Sequence, residues 1–247
     1  RTDFITGRMP IIVIIVAGTI GAGKSTLTEM LAQDLETKPF YENVEDNEVL
    51  PLFYSNPEKY TFLLQIFFLN KRFLAIKDAF SHDDNVLDRS IYEDSMLFHL
   101  NADLGRVSEV EVKQYEGLLE TMLKELEEIS PQKKPDLLVY IRVSFETMLA
   151  RIKKRGREYE QLEQDPELYS YYKELNRRYE EWYEQFDICP KIVIDGDKYD
   201  FVADPACGEQ IVQEIKMRAK KMTEEADAQS IRYTTNNPKA KGIFTTK

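Results

Sequence analysis

The sequence predicts an α/β domain built on a parallel sheet, and three observations carry that expectation. Short β-branched runs alternate with helical patterns along most of the chain, as strands joined by crossover helices do. The strongest run, residues 11–17, is apolar without alternation, which is what a central strand covered on both faces requires. A glycine-rich turn follows it at once and leads into the first helical pattern.

In chain order, the central strand at 11–17 is followed by a helix over 24–35 and a short strand at 38–41. A long helix over 57–80 comes next, with Phe62, Leu63, Ile66, Phe67, Phe73 and Leu74 leaving almost no polar side. A helix apolar all round has to be buried all round. A sheet covers only one face, so the remainder calls either for a helix pair within the chain or for a partner subunit. The helix over 108–129 offers a matching face, with Tyr115, Leu118, Leu119, Met122, Leu123 and Leu126 at helical spacing. Further strands are predicted at 85–88, 137–143 and 191–194, and further helices over 144–155, 165–186 and 204–220. Residues 1–9 read as a tag or N-terminal extension, 10–220 as one domain, and 221–247 as a polar tail without periodicity and so disordered.

The chain has 247 residues, a length that suits one large domain, and 43% of them are hydrophobic, enough for a sizeable core. Lys and Arg number 33 against 44 Asp and Glu, a net charge of −11 that argues against nucleic-acid or anionic-membrane binding over a broad surface. A small anion held in one local basic site stays open. Cys189 and Cys207 are the only cysteines and His82 and His99 the only histidines. Disulfide frameworks, cysteine zinc sites and histidine-based triads are thereby disfavoured, and a reducing, cytoplasmic setting is expected. No apolar run approaches the roughly 20 residues of a membrane span.

Gly18, Thr19, Ile20, Gly21, Ala22, Gly23, Lys24 and Ser25 match G-x-x-x-x-G-K-[ST], placed between the first strand and the first helix, where the motif works. Small residues let backbone N–H groups close round phosphate oxygens, and the helix start adds its positive end. Lys24 is expected to reach the β/γ-phosphates and Ser25 to ligate Mg²⁺, with Thr26 counted in the same nucleotide-binding set. The motif implies ATP or GTP without separating hydrolase, kinase, motor or switch.

Three further groups narrow the choice. Asp88, Arg89 and Ser90 close a short strand, where an acid can hold the Mg²⁺ shell and an arginine can neutralise phosphate; the same residues fit a helix N-cap. Arg151, Arg155 and Arg157 concentrate guanidinium groups in an acidic chain, with Gly156 permitting a turn, and fit either a lid over a triphosphate or a solvated helix end. Glu42, after a predicted strand, is a candidate base for a hydroxyl nucleophile or a surface glutamate.

Together these residues resemble the deoxyribonucleoside kinase family, most closely its bacterial deoxyadenosine/deoxyguanosine kinases. The likeness runs over about 10–203 and includes the phosphate loop, Phe40-Tyr41-Glu42, Tyr54, the stretch from Tyr60 to Gln65 with Arg72, Asp88-Arg89-Ser90, the Arg-rich segment followed by Glu160, and the turn from Ile194 to Asp197. The resemblance implies a P-loop NTPase-type fold with a five-stranded parallel sheet, a lid segment, and a homodimer through long helices. It implies that Glu42 is the base for the 5′-hydroxyl, that Asp88 stands near Mg²⁺, and that Arg89 binds the 5′-oxygen and phosphate. Arg151, Arg155 and Arg157 become the lid. Tyr54 and Glu160 match the positions that hold the sugar 3′-hydroxyl, and Gln65, Arg72 and Asp94 those that read the base. Asp197, Tyr199 and Phe201 are placed near the adenine of ATP. Asp88 stands where many animal relatives carry glutamate, and Asn43-Val44 where they carry Pro-Val. The expected reaction is Mg²⁺- and ATP-dependent phosphorylation of a deoxynucleoside 5′-hydroxyl in nucleotide salvage. Deoxyadenosine is ranked first and deoxyguanosine or deoxycytidine next, because the retained Arg72 and Asp94 disfavour thymidine. A nucleoside monophosphate kinase and a non-enzymatic NTP-binding switch are the alternatives.

Overall fold

The computed structural model describes residues 13–41, 47–79, 85–129, 135–163 and 165–236. Five strands form one parallel sheet in the order β2-β3-β1-β4-β5: β1 (Val13–Ala17), β2 (Pro39–Phe40), β3 (Asn85–Asp88), β4 (Leu137–Arg142) and β5 (Lys191–Asp195). Val16 lies opposite Asp88 on one side and Val139 on the other, so β1 and β3 end within a residue of each other while β4 runs on to Arg142. The segments after β1 and β3 therefore open side by side at the carboxyl edge, where ligands of such sheets bind. All of β1 and nearly all of β4 are buried, which explains their unbroken runs of Val, Ile and Leu.

The helices are α1 (Lys24–Asp34), α2 (Val49–Ser55), α3 (Pro57–Ala79), α4 (Ile91–Asp103), α5 (Glu109–Ile129), α6 (Phe145–Arg155), α7 (Leu168–Gln185) and α8 (Pro205–Asn236). A single 3₁₀ turn, Glu158–Glu160, follows α6. The expected elements are present with ends shifted by a few residues; residues 11, 12 and 80, and the proposed extension over 1–9, lie outside the described set. Two helices were not anticipated. α2 is short and carries Pro51, which the first helical turn tolerates, and Asn47 caps it by accepting from the N–H groups of Val49 and Leu50, both at 3.0 Å. In α4 the core face carries Glu93, Asp94 and Asn101 as well as Ile91, Leu97 and Phe98, so buried polar groups blur the apolar stripe that marks a helix. A third difference concerns α8, which continues past Lys220 to Asn236 through part of the stretch expected to be disordered. Its first part, from Lys221 to Gln229, consists mostly of Lys, Met, Glu, Ala and Gln, which favour helix without any apolar period.

Beside the sheet lies a second cluster formed by α3, α4 and α5, in which Leu69, Ile91, Phe98, Tyr115, Leu119 and Leu126 are buried. The rings of Phe98 and Tyr115 stack with centroids 4.0 Å apart and planes at 14°. This cluster covers part of the apolar surface of α3, while Leu63 and Leu74 on the same helix remain about half exposed. Phe98 is fully buried and fixes α4 against α5, so Phe98→Ala should destabilise the protein by about 3–5 kcal/mol in urea unfolding.

Candidate active site

The turn after β1 is shaped by close approach. A Cβ on Gly18 would stand 2.8 Å from the carbonyl oxygen of Ile141, and Gly23, at φ +97°, has the Phe201 ring 2.9 Å from where its Cβ would be. Gly23 is the N-cap of α1, so the N–H groups of the first turn of α1 open toward the loop. Lys24 is buried and its Nζ donates to the carbonyl of Thr19 at 3.0 Å, folding the side chain back over the loop. Arg151 braces the loop from behind, its guanidinium donating to the carbonyls of Ala22 at 3.1 Å, Gly21 at 3.5 Å and Gly196 at 2.7 Å.

At the end of β3 the Ser25 hydroxyl donates to Asp88 Oδ2 at 2.5 Å, which brings two hard oxygen donors together beside Lys24. Ser25 and Asp88 thus present oxygens of the kind Mg²⁺ prefers, while among the described residues no three Asp, Glu, His or Cys side chains form a metal cluster. Arg89 adopts the left-handed region at φ +68°, held there by its N–H bond to the Val16 carbonyl at 2.9 Å. One turn into α4, Glu93 is fully buried, accepting from the Ser90 N–H at 3.0 Å and from the Tyr179 hydroxyl at 3.1 Å. Burial pushes its carboxyl pKa upward, opposed by the cations of Arg89, Lys24 and Arg72. Ser90 and Glu93 also form the start of α4, as the N-cap reading of this segment expects.

Two of the three expected lid arginines face inward. Arg155 pairs with Glu160 Oε2 and Arg157 Nη1 lies 3.5 Å from Glu160 Oε1, with Glu160 only 2% exposed. Arg151 instead serves as the loop brace. Tyr54 donates its hydroxyl to Tyr172, and Tyr172 donates to the Glu160 carbonyl at 3.0 Å; burial holds the Tyr54 hydroxyl well above its ordinary pKa and hence protonated.

One cavity gathers about half of the expected residues. Gly21, Lys24 and Ser25 line it with Asp88 and Arg89, as do Arg155, Arg157 and Glu160, with Tyr54 on the Glu160 side, and Gln65. Arg72 lines an adjoining cleft that shares Phe68, Asp88 and Arg89 with the first, and it is ion-paired to fully buried Asp94. Asp197 caps α6, accepting from the Ser144 N–H at 3.0 Å; burial works to raise its pKa, and bonds from Thr147 and Ser144 hold it below the usual carboxylate range. Tyr199 is half-buried, and Phe201 is buried behind Gly23 and presents no ring to the cavity. Glu42 lies outside the described residues. Sequence reasoning missed Phe53, Leu97 and Tyr171 in the wall, since apolar residues at helical spacing read as ordinary core.

A parallel sheet of this order, carrying a G-x-x-x-x-G-K-[ST] turn after its central strand, defines a P-loop NTPase fold. A family model described as Deoxynucleoside kinase matches residues 14–219, and the chain belongs to that family. It is 56% identical to a deoxyguanosine kinase of Lactobacillus acidophilus over 210 residues, 85% of this chain and 92% of that protein. To a deoxyadenosine kinase of the same organism it is 48% identical, over 85% of this chain and 97% of the relative. A solved structure of deoxyadenosine kinase from M. mycoides with bound dCTP superposes with a TM-score of 0.67 at 30% identity, covering 83% of this chain and all of that one. The chain is accordingly a deoxynucleoside kinase, a phosphotransferase acting on an alcohol group, and the monophosphate-kinase and switch alternatives fall away.

The left-handed backbone at Gly23 and the ring behind it leave no room for a side chain. Gly23→Ala should weaken ATP binding by about tenfold or more in a titration, with Phe201→Ala added to it failing to restore affinity because the backbone strain of about 1–2 kcal/mol remains.

Proposed function

We propose that the enzyme transfers the γ-phosphoryl group of ATP to the 5′-hydroxyl of a purine deoxynucleoside. The observation that carries this is a cavity lined by Lys24 of the loop and by Gln65, next to a cleft that shares Phe68, Asp88 and Arg89 with it and is lined by Arg72, the partner of buried Asp94. A purine edge presents both acceptors and donors, which an arginine fork and a carboxylate complement, whereas the thymine methyl would meet buried charge. The relative at 56% identity acts on deoxyguanosine and the one at 48% on deoxyadenosine, which moves deoxyguanosine ahead of deoxyadenosine in the order expected from sequence.

In this reading the loop N–H groups and Lys24 hold the triphosphate, and Arg89 stands by the 5′-oxygen to neutralise charge as the phosphoryl group passes. Glu42 takes the proton of that hydroxyl. Arg155 and Arg157 exchange part of their pairing with Glu160 for the phosphates, and Tyr54 and Glu160 hold the 3′-hydroxyl. The Ser25–Asp88 oxygens suit Mg²⁺, which when bound supplies neutralisation of phosphate charge. A second copy of the chain covers the exposed face of α3 with Leu63 and Leu74, and Leu118 on α5, in a homodimer. No described helix is long and apolar enough to cross a membrane, and Cys189 and Cys207 are free thiols, which supports a cytoplasmic setting.

Labelled ATP offered with each of the four deoxynucleosides should yield the monophosphate of deoxyguanosine or deoxyadenosine fastest, and thymidine as the best substrate would overturn the base assignment. Arg72→Ala alone, which strands Asp94, should cost about 3–5 kcal/mol in unfolding experiments, more than Arg72→Met combined with Asp94→Leu. Glu42→Gln should lower turnover by roughly 10²–10⁴ with ATP binding intact, and near-normal turnover would remove Glu42 from the mechanism.

A further inference from the structure

Arg106 has no part in the reaction as described, yet its contacts lead to the cavity. It follows Gly105, which ends α4 at φ +73°, and its backbone N–H donates to the Asn101 carbonyl at 3.0 Å. Its Nη1 donates to Asn101 Oδ1 at 2.9 Å, and Asn101, 1% exposed, donates from Nδ2 to the Leu97 carbonyl at 2.9 Å. The guanidinium carbon lies 4.8 Å from the centroid of the Tyr171 ring and 5.8 Å from that of Phe53. Leu97, Tyr171 and Phe53 all line the cavity. An arginine that merely complemented the carboxyl end of α4 would need none of these contacts.

We propose that Arg106 is a positioning residue that braces the sugar-facing wall of the deoxynucleoside site from outside. Phe53 contacts Tyr54 with ring centroids 5.2 Å apart, and Tyr171 contacts Tyr172 at 5.8 Å, so the two rings held by Arg106 adjoin the two tyrosines that lead to Glu160. A guanidinium over both rings, itself fixed by a buried amide, restricts their rotation before the nucleoside arrives. The bound nucleoside then spends less of its binding energy on ordering the wall. Phosphoryl transfer takes place at the loop and is untouched. The inference rests on reading the Tyr54–Glu160 side as the sugar site.

The test is steady-state kinetics on the full-length enzyme, beginning with the wild type and all four deoxynucleosides. Arg106→Met keeps the length of the chain and removes the fork. It should raise KM for the deoxynucleoside about five- to thirty-fold, by the same factor for each one accepted, with kcat and KM for ATP unchanged within about twofold. Arg106→Lys, which keeps the cation without the planar fork, should fall between, and it carries the test if the Met variant does not fold. An unchanged nucleoside KM in the variant that folds, a parallel rise in KM for ATP, or a factor that depends on the base overturns the inference alone. Failure of the wild type to phosphorylate any deoxynucleoside overturns the reading of the site, and this inference with it.

Discussion

A loop that turns its N–H groups inward to receive phosphate turns its carbonyls outward, and those carbonyls must find donors of their own. Much of the molecule is arranged to meet that demand. Arg151 satisfies Gly21, Ala22 and Gly196 with one guanidinium, and Lys24 returns to the carbonyl of Thr19. The brace is carried on α6, whose start is capped both by its own Ser144 and by Asp197 from the turn after β5. The turn, the helix and the loop are thus one hydrogen-bonded unit, and the parallel register of β1, β4 and β5 sets the distance across it.

The second organising theme is the pairing of cations with buried carboxylates in an acidic chain. Glu93 faces Arg89 and Lys24, Glu160 faces Arg155 and Arg157, and Asp94 faces Arg72. Removing two charges from water costs several kcal/mol per ion, and an apolar replacement of the same volume often stabilises, so such pairs are poor candidates for stability devices. In the proposed reaction they are charges held ready for an anion and a polar base, each kept in place by its partner. The surface pairs of α7, such as Arg177 with Glu174 and Glu181, are exposed and contribute little by comparison.

The sheet and the loop were legible because each rests on local pattern: a nonalternating run for β1, fixed spacing for the turn, a short apolar run for β3. The residues meeting in the cavity were legible only as separate groups, joined by resemblance. Arg151 shows why. Its role is set by carbonyls some 130 positions away in sequence, and nothing local distinguishes it from Arg155, four residues further along the same helix. α4 was hidden by its own buried polar groups, since Glu93 and Asp94 occupy its core face. Phe53, Tyr171 and Arg106 were illegible for the opposite reason: two rings in apolar patterns and an arginine after a helix end are what any core and any surface contain.

The phosphate loop lies in the first tenth of the chain, yet the atoms that shape it come from far later: Ile141 against Gly18, Arg151 against Gly21 and Ala22, Phe201 against Gly23. During synthesis the N-terminal segment leaves the ribosome well before those partners exist, at a pace of about 5–20 residues per second. The loop is made well before the partners that complete it. A nascent chain cut short before Phe201 carries the whole motif and lacks the walls that give it shape, so ATP is available as a folding ligand only to the finished domain.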